Sequence, residues 1–158
     1  MIYKGFLHIG SMWRIDPPAD AIELKSAMTT LPLTALVTLL IGMLILATGI
    51  NVGRARGRYG VKAPAVTGHE LFERAYRVQM NTLENAVLML PALWLYAGFV
   101  GDRGAAISGG IWLLARVWYA LAYSANPAKR GPAFAIGMVA FTGLWLGATW
   151  GVVRIIIH

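Results

Sequence analysis

No cysteine occurs in the 158 residues. Disulfides, a protein thiolate nucleophile and cysteine-ligated metal sites are therefore excluded for this chain, and any thiol chemistry must bring its thiol on a second molecule. Charge is also scarce: 13% of residues are Asp, Glu, Lys or Arg, and only 7 are acidic against 14 basic. Histidine is nearly absent, at 3 residues, and none lies in the two polar groupings described below, so an imidazole general base is not expected. His69 reads as helix-start surface. Helices broken in mid-span and inverted repeats are also lacking, which disfavours a small transporter or channel.

Apolar sequence fills the space left by those absences. The chain is 58% hydrophobic with a mean hydropathy of +0.61, far from an average soluble domain. Leu31–Gly53 and Gly131–Val153 are uncharged runs, each long enough to cross a hydrocarbon core that needs about 20 helical residues. Two less pure segments, about 69–98 and 104–126, lie between them. The expected fold is an all-α integral membrane protein, a bundle of four transmembrane helices over residues 31–158 with spans at about 31–53, 69–98, 104–126 and 131–153.

Residues 1–30 differ in kind, with Pro17-Pro18, Asp16, Asp20, Glu23 and Lys25 and no signal-peptide plan. They are expected to be a short surface extension, or to lie ahead of a true start at Met28.

The net charge of +7 is unevenly placed. Arg54, Arg56, Arg58 and Lys62 crowd the first loop, Lys129 and Arg130 mark the third, and the second holds Asp102 and Arg103. The positive-inside rule then expects loops one and three on the cytoplasmic side, with both termini opposite. For Arg54 and Arg58 the plainest account is topology plus contact with anionic lipid headgroups. Nucleic acid is a poor partner for charges set directly against a spanning segment.

Boundary signals are ordinary. Thr67 and Glu70 suit a capping box at the start of helix two, with Thr67 as N-cap. Pro91 is expected to kink that helix, and Asn126-Pro127 to end helix three. Gly143, Gly147 and Gly151 form a small-residue stripe on helix four, read as packing.

The most informative stretch runs from Glu73 to Asn85. Arg77, Asn81 and Glu84 fall at i, i+4 and i+7, within about 60° of one another on a helix. Glu70, Glu73 and Arg74 extend that stripe toward the helix start. Charges at membrane depth cost roughly 2.5–3.5 kcal/mol each on insertion scales, so they persist when paired, wetted or used. Helix three carries a second grouping, Arg116, Tyr119 and Tyr123, also on one face. An intramembrane arginine calls for a carboxylate, and Glu84 or Glu73 is the expected partner of Arg116. Intramembrane Arg–Glu pairs that merely stitch subunits together are the structural alternative for the stripe, and interfacial anchoring is the alternative for the two tyrosines.

Glu73 to Asn85, the later Leu90-Pro91, and Ala115-Arg116-Val117-Trp118-Tyr119-Ala120-Leu121-Ala122-Tyr123 together resemble the MAPEG family, the membrane-associated proteins of eicosanoid and glutathione metabolism. The similarity runs from about Met28 to the C-terminus, with spacing nearest the leukotriene C synthase branch. The resemblance implies a homotrimer of four-helix subunits that binds glutathione as cosubstrate between neighbours, with no metal. It implies that Arg77, with Arg56 from a neighbouring subunit, holds the glutathione carboxylates. Gln79, Asn81 and Glu84 would hold its polar backbone and amino group, Tyr119 and Tyr123 would line the pocket, and Arg130 would activate the thiol as the catalytic residue. Arg74, Arg116 and Glu73 would be supporting residues. Gly57 stands where that branch has a second consecutive arginine. Asn85 replaces a tyrosine, and the pair Glu84-Asn85 is more like the microsomal glutathione transferase branch.

The chemistry of glutathione suits those side chains. Two carboxylates and an ammonium need at least two cations and one anion, and arginine offers forked donors to a carboxylate. The implied activity is transfer of glutathione to hydrophobic small-molecule electrophiles, as in detoxification, with lipid-hydroperoxide peroxidase activity from the same thiolate. The implied partners are further copies of the chain, membrane lipid and the electrophile, without nucleic acid. A non-catalytic lipid-binding scaffold of the same fold is the alternative. Leu88, Trp112, Trp118 and Trp145 suit lipid, core or substrate equally from sequence.

Overall fold

The computed structural model describes residues 31–157; the expectations for residues 1–30 lie outside that range. Four α-helices follow one another: α1 (Pro32–Tyr59), α2 (Glu70–Phe99), α3 (Asp102–Ala125) and α4 (Gly131–Ile157), with a 3-10 turn at Pro127–Arg130 between the last two. No strand occurs among the described residues.

Among the described residues, three segments are long and apolar enough to cross a membrane: Pro32–Tyr59, Asp102–Ala125 and Pro127–Ile157. By contrast α2 devotes its first half to the polar stripe and is not among them. The first and last helices outrun the uncharged segments that announced them. A charge marks where hydrocarbon ends, not where a helix must stop. The first helix stops instead at Gly60, which takes a left-handed conformation (φ 67°) and returns its N–H to the Arg56 carbonyl.

The start of α2 departs from expectation. Thr67 is not the N-cap; His69 is, in an extended conformation, with its ring nitrogen Nδ1 accepting from the Leu71 N–H at 3.2 Å. Glu73 accepts from the Gly68 N–H at 2.9 Å, so a carboxylate one turn inside the helix serves the backbone just outside it. Glu70 instead pairs with Arg74. Gly68 lies at φ 138°, a conformation unfavourable to residues with a side chain, and this turn shifts the cap past Thr67. Pro91 sits inside α2, which continues through it to Phe99. The third helix ends as expected: Asn126 is extended, and its side-chain oxygen accepts from the Ala128 N–H at 3.0 Å to begin the 3-10 turn.

Short connections make neighbouring helices antiparallel. A clamp across the sequence joins the other pair: both carboxylate oxygens of Asp102 accept from the first turn of α1, from Leu33 N–H at 3.1 Å and Thr34 N–H at 2.8 Å. Pro32 occupies the first turn, and the negative carboxylate suits the exposed N–H groups and the positive helix end. Thus α1 and α3 start at one end of the bundle, and α2 and α4 start at the other.

Packing is inverted relative to a water-soluble bundle. Alanine and glycine supply much of the interior, around Ile41, Met89, Leu93, Trp112 and Leu144, whereas Leu39, Met43, Leu114, Val139 and Trp150 point outward. Small residues let backbones approach, and large apolar ones satisfy a hydrocarbon surround. Trp112 belongs to the core, while Leu88, Trp118 and Trp145 lie on the outside. Along the glycine stripe of α4, a methyl group at Gly147 would collide with the Tyr96 ring, and one at Gly151 would stand 2.8 Å from Phe99 Cβ; at Gly143 it would meet nothing within 4 Å. Gly147→Ala is expected to cost about 1–3 kcal/mol by overpacking, while Gly143→Ala is neutral or stabilising through helix propensity. Unfolding of both variants in detergent checks the contrast.

Candidate functional site

Polar side chains from three helices converge near the end of the bundle where α3 stops and α4 begins. Arg77, Asn81 and Glu84 come from successive turns of α2, Tyr119 and Tyr123 from the last turns of α3, and Arg130 from the 3-10 turn. Together with Met80 and Phe134 they line an open groove of about 590 Å³. Arg77, Glu84 and Arg130 are exposed, Asn81 and Tyr123 are half-buried, and Tyr119 is buried.

Aromatic faces order the groove. Tyr119 and Tyr123 pack with ring centroids 5.6 Å apart, and Phe134 approaches Tyr119 at 6.4 Å. The Arg130 guanidinium lies 5.4 Å from the Tyr123 ring centre, which steadies a side chain on an exposed turn. The turn itself follows from Asn126-Pro127, since proline ends α3 and forces the chain to restart at Gly131. This places Arg130 in the lining of the groove.

Behind the groove lies Arg116, at 1% exposure. The expected carboxylate partner is not there: neither Glu84 nor Glu73 pairs with it, and Arg74–Glu70 is the salt bridge found among the described residues. Arg116 Nη2 instead donates to the Asn81 side-chain oxygen at 2.6 Å and, more weakly, to Thr82 Oγ1 at 3.5 Å. Its guanidinium stacks 4.3 Å from the Tyr119 ring centre and 5.8 Å from Trp112. An amide and two π-faces thus take the place of an anion. The arginine binds α3 to α2 and fixes which end of the Asn81 amide faces inward, leaving the amide nitrogen as the end free to turn toward the groove.

The remaining expected residues lie elsewhere. Arg56 is at the α1–α2 connection, where Nη1 donates to the Ala65 carbonyl at 2.8 Å and the Val61 carbonyl at 3.3 Å, and the guanidinium covers Phe72 at 4.7 Å. Gln79 faces α1, where a methyl group placed on Gly49 would stand 3.2 Å from its Nε2. Neither reaches the groove of its own chain. Glu73 serves the Gly68 N–H, and Arg74 reaches the last carbonyls of α3 at Ser124 and Ala125. The Asn85 amide bonds back to the Asn81 carbonyl at 2.8 Å, within its own helix. Met80 and Phe134 were not anticipated. Helical spacing from Arg77 and Arg130 puts both on the groove-facing side, but apolar side chains give no signal in a chain this hydrophobic.

A membrane-type helical bundle holding a mixed-charge groove at one end is a class of architecture, and comparison with known proteins makes it specific. The chain belongs to the MAPEG family, whose family model matches residues 34–150. It is 48% identical over 120 residues to the uncharacterized protein sll1147 of Synechocystis sp., covering 73% of this chain and 88% of that one. It is 34% identical to microsomal glutathione S-transferase 2 of Mus musculus over 102 residues, covering 65% of this chain and 69% of the relative. Leukotriene C4 synthase of Bos taurus is 33% identical over 127 residues, 80% of this chain and 82% of its own length. The chain is thus a membrane protein of a glutathione-linked family.

Replacing Arg116 separates its two tasks. Arg116→Ala is expected to destabilise the protein by about 1.5–3 kcal/mol, because a charge-assisted bond is lost and Asn81 and Thr82 lose a partner. Arg116→Met refills the space but leaves Asn81 and Thr82 equally without a partner, so it should recover only the packing share of that loss. Thermal unfolding of the pair in one detergent provides the measurement.

Proposed function

We propose that this protein is a glutathione transferase of the membrane that joins the glutathione thiolate to hydrophobic electrophiles. The observation that carries this reading is the groove itself, with two guanidiniums (Arg77 and Arg130), one carboxylate (Glu84) and an amide (Asn81) in a single lining. That set offers glutathione a cation for one carboxylate, an anion for its ammonium and a second cation for its thiol, with the other carboxylate left to Arg56 of a neighbouring copy. Family membership and relatives named as microsomal glutathione S-transferase 2 and leukotriene C4 synthase support it.

In this reading Arg77 grips a glutathione carboxylate, Glu84 receives the ammonium, and Asn81 bonds the peptide backbone. Tyr119 and Tyr123 form the wall. Arg130 stands over the sulfur. A thiol of reference pKa about 8.5 is mostly protonated at neutral pH. A nearby guanidinium favours the thiolate, and each unit of pKa lowering corresponds to about 1.4 kcal/mol. The thiol proton leaves to water, sulfur bonds to the electrophilic carbon, and that carbon releases its leaving group or its π electrons. With a lipid hydroperoxide the same thiolate attacks the distal oxygen and the O–O bond breaks, the alkoxide taking a proton to leave as the alcohol. A second glutathione then reduces the glutathione sulfenic acid, giving glutathione disulfide and water.

Arg56 and Gln79 enter this scheme from a neighbouring copy. Both lie on the α1–α2 side of the subunit, away from the groove of their own chain. A homotrimer in which α2 also crosses the bilayer would bring that side against the next groove, with Arg56 as a further cation for glutathione. Loops one and three, rich in arginine and lysine, are assigned to the cytoplasmic face.

Kinetics of two variants test the assignment of roles. Arg130→Ala should leave glutathione affinity within about threefold while lowering conjugation turnover by about a hundredfold or more. Equal losses in affinity and turnover would make Arg130 an anchor instead. Arg77→Ala should abolish measurable glutathione binding; unchanged affinity would remove the pocket from contention.

A further inference from the structure

A second basic cavity lies on the opposite side of α1 from Arg56, and apart from Arg74, a supporting residue in the family resemblance, its residues play no part in the glutathione reading. Arg54 and Arg58 are separated by about 40° around the helix, and each lies about 160° from Arg56. With Asn51, Tyr59, Arg74 and Ser124 they line a cavity of about 320 Å³ where α1 ends, α2 begins and α3 ends. The groove holding Arg130 shares none of these residues.

The cavity has more cation than its surroundings answer. Arg74 pairs with Glu70, and its bonds to the Ser124 and Ala125 carbonyls are long, at 3.4 and 3.3 Å. Its Nε is buried with no hydrogen-bond partner among the described residues. Arg54 and Arg58 are exposed and form no salt bridge there; Arg58 rests at 5.8 Å from the Tyr59 ring centre. Among the described residues, three guanidiniums thus line one cavity, and the carboxylate that answers them is Glu70, paired with Arg74. Mutual repulsion of that kind is relieved by a bound anion with several acceptor oxygens, which guanidinium forks match in geometry.

Position identifies the anion's source. The uncharged run of α1 ends at Gly53, so Arg54 is the first charge beyond the hydrocarbon, at the depth of lipid phosphates. Leu71, Ala55 and Ala75 give the cavity an apolar wall on which the glycerol end of a lipid can rest. We infer that Arg54, Arg58 and Arg74 form a binding site for the phosphate headgroup of an anionic phospholipid, a site built between helices and distinct from general attraction to a charged surface. Tyr59 and Ser124 also line it, the Ser124 hydroxyl donating to the Ala120 carbonyl.

The test uses the full chain in neutral detergent, offered phosphatidylglycerol or phosphatidylcholine, with retained lipid per chain and the unfolding midpoint as readouts. Phosphatidylglycerol is expected to be retained selectively and to raise the midpoint, whereas phosphatidylcholine does neither. The double variant Arg54→Gln/Arg58→Gln should lose at least about tenfold in phosphatidylglycerol retention. A control of equal charge at the same end, Lys62→Gln/Lys129→Gln, should retain the wild-type value. Equal loss in both double variants would mean surface charge alone and would overturn the site. Absence of selectivity in the wild-type chain would do the same without any variant. Displacement of the lipid by millimolar inorganic phosphate would reassign the cavity to a free anion.

Discussion

A guanidinium sealed between two helices at membrane depth must be given acceptors, and Arg116 finds its principal one in Asn81. Much of the groove depends on that bond. It sets α3 against α2 at the level where Arg77, Asn81 and Glu84 emerge, it leaves the Asn81 amide with one orientation, and it stacks Tyr119 beneath a cation. A carboxylate in the same place would have neutralised Arg116 and consumed the anion of the stripe. With an amide as partner, Glu84 remains exposed in the groove. The buried charge serves the positions of its neighbours, holding Asn81 by a hydrogen bond and Tyr119 by its ring face.

The surrounding fold keeps that arrangement in place with unusually small parts. Gly109 admits Val37 and Leu93 so closely that a methyl group there would stand 2.8 and 2.9 Å from their side chains, and Gly147 does the same for Tyr96. Large side chains are displaced to the outside, where hydrocarbon receives them. At the end away from the groove, Asp102 joins the start of α3 to the start of α1. At the groove end, arginines do the joining: Arg56 holds the first connection and Arg74 the last turn of α3. Each end of the bundle is therefore tied by charge to backbone, while the middle is tied by close approach.

Much of this was legible in the sequence because helices repeat. Spacing alone placed Arg77, Asn81 and Glu84 on one face, and Tyr119 with Tyr123 on another, and the structure brings both faces to one groove. Proline marked the end of α3. What spacing does not carry is the rotation of one helix against the next. Gln79 shares a helix with the groove residues yet faces Gly49 of α1, and Arg116, for which sequence suggests a carboxylate, takes an amide. The Asp102 clamp spans 69 positions in sequence and has no local signature. The choice of His69 over Thr67 as N-cap turned on the conformation of Gly68, which composition does not encode. Arg130 came into view through family resemblance, because a lone arginine beyond a proline turn has no periodicity to announce it.

The central claim is that the groove binds glutathione and holds it as a thiolate. Ultraviolet titration of the detergent-purified protein with glutathione near neutral pH addresses both halves at once. The account predicts a saturable thiolate absorbance that is absent with an S-blocked analogue. Binding of glutathione with no thiolate signal, or no binding at all, would contradict the transferase and leave a lipid-binding scaffold of the same fold as the better description.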